Sequence, residues 1–586
     1  MLKIPLSFAL LICTFFAFAQ KGQSKIEAIL FEKGLHQKQV ECLVILHEQA
    51  DISAAARLET KDEKAEFVFS TLKKHAQKTQ LRLVDFFEKE KIEYRKFLIV
   101  NAFQVKTNIE NLRKLADIPE VAAIADNPWV HFQEPVSAPS ASDEGARTTV
   151  WGIQKIKADS VWLQGNKGQA AVIGGQDTGY QWDHPALKKS YRGTIDSTKA
   201  DHNYNWHDAI HDKSPLSKDS LNPCGFNLKA PCDDQQHGTH TMGTMVGDDG
   251  LGNQIGVAPE ARWIACRNME RGNGSPATYI EGFEWFLAPT DSEGKNPNPK
   301  KAPHVINNSW YCSPEEGCNS AAVSAIMEIA VKNLKASGVV VVISAGNFGS
   351  NCGTVAEAAS SFESALTVGA TNIDDNIGGF SSRGPKIFGN WKTNYIKPNV
   401  SAPGLDIRSC VPGNQFANGW NGTSMAGPHV AGVVALIITA NPKLAGKVET
   451  IEDIIETTAT KLFTTDTCGG LQPNVTPNFT FGFGRIDAFA AVKKAKNFVT
   501  NTNEIVDNTL FNVYPNPANE LLNITSKDNQ GDIEITVYDA LGKKVLFQNE
   551  KNKSNIQLNI SSLQIGSYFY EIKKEQTFSR GKFIKL

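Results

Sequence analysis

Between residues 148 and 498, short apolar runs recur without strict alternation, and this pattern constrains the chain more than any other. Ala170-Ala171-Val172-Ile173, Ala261-Arg262-Trp263-Ile264-Ala265, Val305-Ile306-Asn307-Asn308, Val339-Val340-Val341-Val342-Ile343 and Ala365-Leu366-Thr367-Val368 are each strand-sized, with helical patterns between them. A strand with one face in water alternates apolar and polar residues, whereas one covered on both faces does not. Such strands separated by helices predict an α/β fold with a doubly wound, mostly parallel sheet. In that architecture functional groups gather at the carboxyl ends of the strands.

Three stretches of this region carry chemistry. Val172-Ile173-Gly174-Gly175-Gln176-Asp177-Thr178-Gly179 sets Asp177 at the carboxyl end of an apolar strand. His237-Gly238-Thr239-His240 opens a helical pattern of small residues. In Asn421-Gly422-Thr423-Ser424-Met425-Ala426-Gly427, a serine precedes the apolar run Val433 to Ile438, which predicts a buried helix. Gly422 permits a sharp turn there, placing the hydroxyl at a helix N-terminus that favours developing negative charge. A serine hydroxyl is a weak nucleophile until a base and an orienting acid activate it. His237 fits the base and Asp177 the acid. The competing use of His237 and His240, a metal pair, lacks the glutamate of a zincin motif and a nearby third ligand.

The flanks differ from this core. Lys3, the apolar run Leu6 to Phe16 and Ala17-Phe18-Ala19 predict a signal peptide over residues 1–19. The run is short for a membrane span, and no later run reads as long enough. Strand and helix patterns over residues 20–145 predict a small α+β unit, with strands at 40–46, 97–105 and 121–124. It ends in Glu134-Pro135-Val136-Ser137-Ala138-Pro139-Ser140-Ala141-Ser142, a linker composition open to proteolysis. The α/β domain is expected over 146–498, a polar linker over 499–509, and a β-sandwich of alternating strands over 510–586. A formal net charge of −2 argues against a nucleic-acid partner. Ten cysteines in an exported chain imply disulfides, and Cys224 with Cys232 and Cys312 with Cys318 are the close pairs. The insertion between Asp177 and His237 holds His202, His207 and His211, which with Asp208 and Asp212 read as a solvated loop or a metal cluster.

The motifs Asp177-Thr178-Gly179, His237-Gly238-Thr239-His240 and Gly422-Thr423-Ser424-Met425-Ala426, in that order, resemble the subtilisin-like serine peptidase family. Gly174-Gly175-Gln176-Asp177, Asp201 to His207 and Trp285 to Thr290 are similar to its bacillopeptidase F branch. The resemblance implies a serine endopeptidase with Asp177, His237 and Ser424 as its triad. It implies Asn347, in Ser344-Ala345-Gly346-Asn347, as the oxyanion donor. It also implies that Asn308, Ser309 and Trp310 pair with an extended substrate and that Ser344, Ala345 and Gly346 line the pocket before the scissile bond. Tyr311 and Phe348 would form an apolar rim. No cofactor is implied for catalysis. At Asp248-Asp249-Gly250, glycine replaces a calcium ligand of that family, so a structural calcium is expected only elsewhere.

Residues 20–145 resemble the family's inhibitory propeptide, to be cut between Gln133 and Val150. Val513-Tyr514-Pro515-Asn516-Pro517, Val537 to Gly542 and Lys582 to Leu586 resemble the type IX secretion sorting domain of Bacteroidetes. Together these imply a zymogen that meets its own propeptide, protein or peptide substrates and the type IX machinery, and that ends outside the cell or on the outer-membrane surface. The alternatives are a processing protease of narrow specificity and a binding protein on a dead scaffold; the intact motifs argue against the second.

Overall fold

The structure, a computed structural model, describes residues 24–586 except 133–135, 141–147, 219–221, 311–319, 356–358, 386, 389–390, 393–394, 499–504, 507–510, 527–530, 540–542 and 575–576. The predicted signal peptide, Tyr311 and the Cys312/Cys318 pair lie outside the described residues. The chain divides into two compact units, one up to Phe498 and one from Val499.

The first unit is built on a seven-stranded sheet. Its spatial order is 400–403, 366–371, 340–344, 305–308, 172–177, 262–267 and 206–208. Every pairing in it is parallel. The chain order reverses between strands 172–177 and 305–308, so this doubly wound sheet has its switch point there. A crevice at the carboxyl ends follows from that topology. Strands 305–308, 340–344 and 366–371 are buried at every position. Both faces are covered, which is why these runs do not alternate.

Against one face lies the helix Thr423–Ala440, with every residue from Thr423 to Ile438 buried. It is long and apolar enough to cross a membrane by composition, which corrects the expectation that no later run is. Its apolar girth reflects burial on all sides in a domain core, the other setting that demands such a helix.

Residues 24–132 form an antiparallel sheet ordered 93–96, 102–107, 40–46, 121–126, with helices at 28–36, 61–79, 81–90 and 109–116. Strand Val40–Leu46 is apolar at every position but Glu41 because the sheet is covered on both sides. Cys42, Val44 and Leu46 face its own helices, whereas Leu43 and Ile45 join a cluster with Ile280, Phe283 and Val331 of the α/β domain. The predicted strand 97–105 is split: only Ala102–Thr107 is strand, after a bend at 97–101. Asn101 pins that bend, donating to Glu48 O at 2.7 Å and to Thr79 Oγ1 at 2.9 Å. The apolar Phe97, Ile99 and Val100 are instead buried against the α/β domain. Its polar groups receive the bend: Ile99 N donates to Glu284 Oε2 at 2.8 Å, and Ile99 O accepts from Asn333 Nδ2 at 2.6 Å.

The second unit packs sheets ordered 505–506, 577–585, 566–574, 532–538, 544–551 and 511–514, 521–526, 555–559. Alternate residues such as Ile533, Ile535 and Val537 point into its core with Leu522, Ile524 and Leu558, consistent with a β-sandwich.

Candidate active site

Asp177 closes strand 172–177, beside the switch point, and is 1% exposed. Its Oδ1 accepts the Thr178 amide and faces His237 Nδ1, each at 2.8 Å. His237 is the first residue of the helix His237–Val246 and is fully buried. Its Nε2 is buried with no hydrogen-bond partner among the described residues. A nitrogen held that way, with the other bonded to a carboxylate, is oriented to take a proton.

Asp233, which sequence reasoning passed over, joins these two elements. Its Oδ1 accepts Thr178 Oγ1 at 2.9 Å and the amides of Gln235 and Gln236 at 3.0 and 2.9 Å. Its Oδ2 accepts the Thr239 amide at 3.0 Å and Thr239 Oγ1 at 2.6 Å. The carboxylate thus meets the orphan donors of the helix start. Gly179 makes the approach possible: at φ 119° a side chain there would sit 1.9 Å from Cys232 O. An aspartate four residues ahead of a helical histidine was the available signal.

Ser424 is the second residue of the helix Thr423–Ala440 and is 3% exposed. The preceding turn does not need glycine's freedom. Gly422 is extended, with φ 170°, which corrects the expectation of a special turn. Two strand ends hold the helix start. Ser344 Oγ donates to Thr423 O at 3.0 Å, and Ser309 Oγ donates to Ser424 O at 2.9 Å. Asn347 Oδ1 accepts from Thr423 N and Thr423 Oγ1, both at 2.9 Å. Those bonds fix the planar amide with its NH2 on the side away from Thr423. Ser424 Oγ itself donates to Ser309 O at 3.1 Å.

The structure therefore brings Asn347, Ser309 and Ser344 to Ser424, and Asp177 to His237. Ala345 and Gly346 continue the same segment and are buried. Asn308 and Trp310 turn their side chains inward. Asn308 Nδ2 donates to Val342 O at 3.0 Å, and Trp310 stacks on Tyr279 at 3.8 Å between centroids. Phe348 is exposed.

A strand already lies along the site. Val130–His131 pairs antiparallel with Asn273–Gly274, and the Phe132 amide donates to Gly272 O at 2.9 Å. The Phe132 ring sits edge-on to His237 at 4.8 Å. After the gap at 133–135, Val136–Ser140 pairs antiparallel with strand Gln415–Asn421, Val136 opposite Asn421. The seat Gly272-Asn273-Gly274 was missed in the sequence, although a Gly-x-Gly before the capped helix at Pro276 marked it.

The insertion histidines and aspartates do not converge as one cluster. Asp208 takes Arg267 at 2.9 Å, and His202 Nδ1 takes Tyr191 Oη at 3.0 Å. His207 and His211 instead face Glu281. Asp248 and Asp249 accept the amides of Gly250 and Leu251 at 2.9 and 2.8 Å. Among the described residues, no group of three or more His, Cys, Asp or Glu side chains is placed to hold a metal ion. The Cys224–Cys232 disulfide closes the insertion, and a second links Cys352 to Cys468.

The parallel sheet, its switch-point crevice and the paired aspartate and histidine belong to a class, and sequence comparison defines it. Residues 168–484 match the subtilase family, and this chain belongs to that family. Residues 512–586 match the secretion system C-terminal sorting domain. Bacillopeptidase F of Bacillus subtilis (strain 168) is 35% identical over 450 residues, which is 74% of this chain but 29% of that protein. Subtilisin DY of Bacillus licheniformis is 30% identical over 351 residues, 59% of this chain and 100% of the relative. Subtilisin E of Bacillus subtilis (strain 168) is 28% identical over 370 residues, 63% of this chain and 78% of the relative.

Proposed function

We propose that this protein is a secreted serine endopeptidase made as a zymogen. The observation that carries the reading is the buried His237, bonded to Asp177 through Nδ1 and without a hydrogen-bond partner at Nε2 among the described residues, together with a serine at a helix start. Ser424 Oγ turns from Ser309 O to His237 Nε2, gives up its proton and attacks the peptide carbonyl. Asn347 Nδ2 and the Ser424 amide hold the oxyanion, aided by the helix N-terminus. His237 then protonates the leaving amine, and water, activated by the same base, releases the acyl group. Asp177 keeps the imidazole in the required tautomer. Substrate strands lie between Asn308-Ser309-Trp310 and the seat at 272–274, with Ser344-Ala345-Gly346 below the residue before the cut.

Residues 20–145 act as the propeptide, and the Phe132 contact with His237 supports this because that segment occupies the cleft. Self-cleavage falls between Gln133 and Val136, at the start of the expected window of 133 to 150. The sorting domain directs the chain through the type IX machinery to the cell exterior or outer-membrane surface. Catalysis needs no cofactor, and calcium is confined to a structural part.

The test compares purified wild type with Ser424→Ala. Wild type should react with a fluorophosphonate probe and cut itself between Gln133 and Val136, with both lost in the variant. A wild type that neither labels nor cleaves refutes the peptidase reading.

A further inference from the structure

One cluster outside the catalytic crevice uses residues of the insertion, of the helix Pro276–Leu287 and of the propeptide together. Glu281 projects from that helix, and Arg95, on the propeptide strand Glu93–Lys96, pairs through Nη1 with Glu281 Oε2. On the same carboxylate, His207 Nε2 lies 2.9 Å from Oε1, and His211 Nε2 lies 3.0 and 3.1 Å from Oε1 and Oε2. One partly buried carboxylate thus meets a guanidinium and two imidazoles. The histidines come from strand 206–208 and the loop after it.

We propose that Glu281, His207 and His211 form a guanidinium socket, filled by Arg95 in the precursor, which releases the propeptide as its two imidazoles take up protons. This rests on reading residues 20–145 as the propeptide.

The shared carboxylate sets the direction, because a proton on either imidazole is repelled by the Arg95 guanidinium seated on the same Glu281. His211 Nδ1 lies 2.6 Å from Asn227 Oδ1, whose amide is oriented by Asn227 Nδ2 donating to His211 O at 3.4 Å. Both His211 nitrogens face oxygens, so a neutral ring donates to one of them and the imidazolium could donate to both. The guanidinium opposes that state. Burial, then His211 and Arg95, hold His207 down to about 3. Burial, then Arg95, hold His211 down to about 4, partly offset by Asn227 and Asp212, while Arg267 adds to the depression. His207 also stacks on Trp285 at 5.7 Å, which limits its access to water. Glu284, Asp212 and Glu41 are the other carboxylates that act on Arg95.

Removing the propeptide takes away Arg95 and much of the burial, so both imidazoles return towards their ordinary 6.5. Because their values are depressed in the complex, release takes up protons. The hold is complete above 6.5 and is lost as pH falls below it. Glu284, raised by burial against the propeptide, works in the opposite sense and strengthens the complex in acid. The histidine contribution therefore has to be read by difference.

Wild type is allowed to process itself, and the Kd of the cleaved propeptide is measured at pH 7.5 and 5.5. Linkage predicts a rise of about tenfold per imidazole over that range. In His207→Gln/His211→Gln the rise should shrink to less than about threefold, and His211→Gln alone should remove about half of it on a logarithmic scale. Arg95→Gln should raise the Kd at pH 7.5. An equal rise in wild type and the double variant, or no effect of Arg95→Gln, overturns the socket. The uncut Ser424→Ala chain gives a separate reading. Amide exchange over 93–107, corrected for pH, should accelerate at pH 5.5 with the histidines and not with glutamines, and an equal response overturns the proposal. A wild type that never cuts itself refutes the peptidase reading and leaves this second measurement standing.

Discussion

Pro428 and Ser309 meet on one atom, the carbonyl oxygen of Ser424. Proline at 428 has no amide to offer the carbonyl four residues back, and Ser309 Oγ donates to that oxygen at 2.9 Å instead. The helix that carries Ser424 is thereby fastened to the strand end at the switch point. Ser309→Ala should leave a buried carbonyl without a partner and cost about 1–3 kcal/mol of stability. Because Ser424 Oγ also rests on Ser309 O, a shift at this junction should lower kcat roughly tenfold. Urea unfolding in the Ser424→Ala background and kinetics in the active enzyme check the two effects; an unchanged kcat would show that the tether does not position the hydroxyl.

Asn347 is held by its oxygen, and the proposed oxyanion role falls to its nitrogen. Asn347→Leu removes the donor while filling similar space. Loss of the corresponding asparagine in subtilisin costs ~10²–10³ in turnover, and the same range is expected here. KM should change little, since the oxyanion exists only beyond the ground state. A rise in KM at constant kcat would place Asn347 in ground-state binding.

Asp177 Oδ1 faces His237 Nδ1 at 2.8 Å and also accepts the Thr178 amide. In Asp177→Asn the side-chain amide can present NH2 to the ring, favouring the tautomer that protonates Nε2. A fall in kcat of about 10⁴ is expected, with labelling by the fluorophosphonate slowed in parallel. Retained turnover within tenfold of wild type would remove Asp177 from its orienting role.

How much of this was legible depended on whether the cause was local. Strand 340–344 reads as buried because its own residues say so, and His237 starts a helix of small residues that reads the same way. Asp233 was marked only by its place four residues ahead of His237, and its bond to Thr178 was not legible, because that depends on Gly179 letting the end of the insertion approach. Phe97 to Asn101 misled for a related reason. Its apolar residues answer to the face of another domain, and a bend pinned by Asn101 replaces the strand they imitate. The 272–274 seat has a local mark in its Gly-x-Gly, but what it seats shows only through the strand laid on it.

His304 gives a pH prediction for stability. Its Nδ1 accepts the Val172 amide at 3.0 Å, which requires a neutral ring. Burial, and then the ammonium of Lys61 at the start of the helix Lys61–Thr79, hold it down to about 3 from an ordinary 6.5. A depressed value means the stabilisation is present above 6.5 and is lost as pH falls towards 3. In the Ser424→Ala precursor, unfolding free energy should decline below pH 6.5. His304→Asn, whose Oδ1 can take the Val172 amide, should reduce that slope by up to about one proton. An identical slope would show that His304 is charged in the fold.

The two described disulfides should not be worth the same. Cys224 and Cys232 are 8 residues apart and close a small loop in the insertion. Cys352 and Cys468 are 116 residues apart and tie the segment after Asn347 to a loop beyond the long helix. The entropy removed from the unfolded chain grows with the logarithm of loop length, so the longer link should stabilise more. Cys352→Ser/Cys468→Ser should cost roughly 2–5 kcal/mol, and Cys224→Ser/Cys232→Ser measurably less. Denaturant midpoints of the two double variants, each in the Ser424→Ala chain to prevent self-digestion, make the comparison. The reverse order would mean that the short link acts on the native state, holding Asp233 against Thr178 and the His237 helix, and not on the unfolded chain. In that case the loss of stability should be accompanied by faster amide exchange at the start of the helix His237–Val246, which the loss of the longer link alone would not produce.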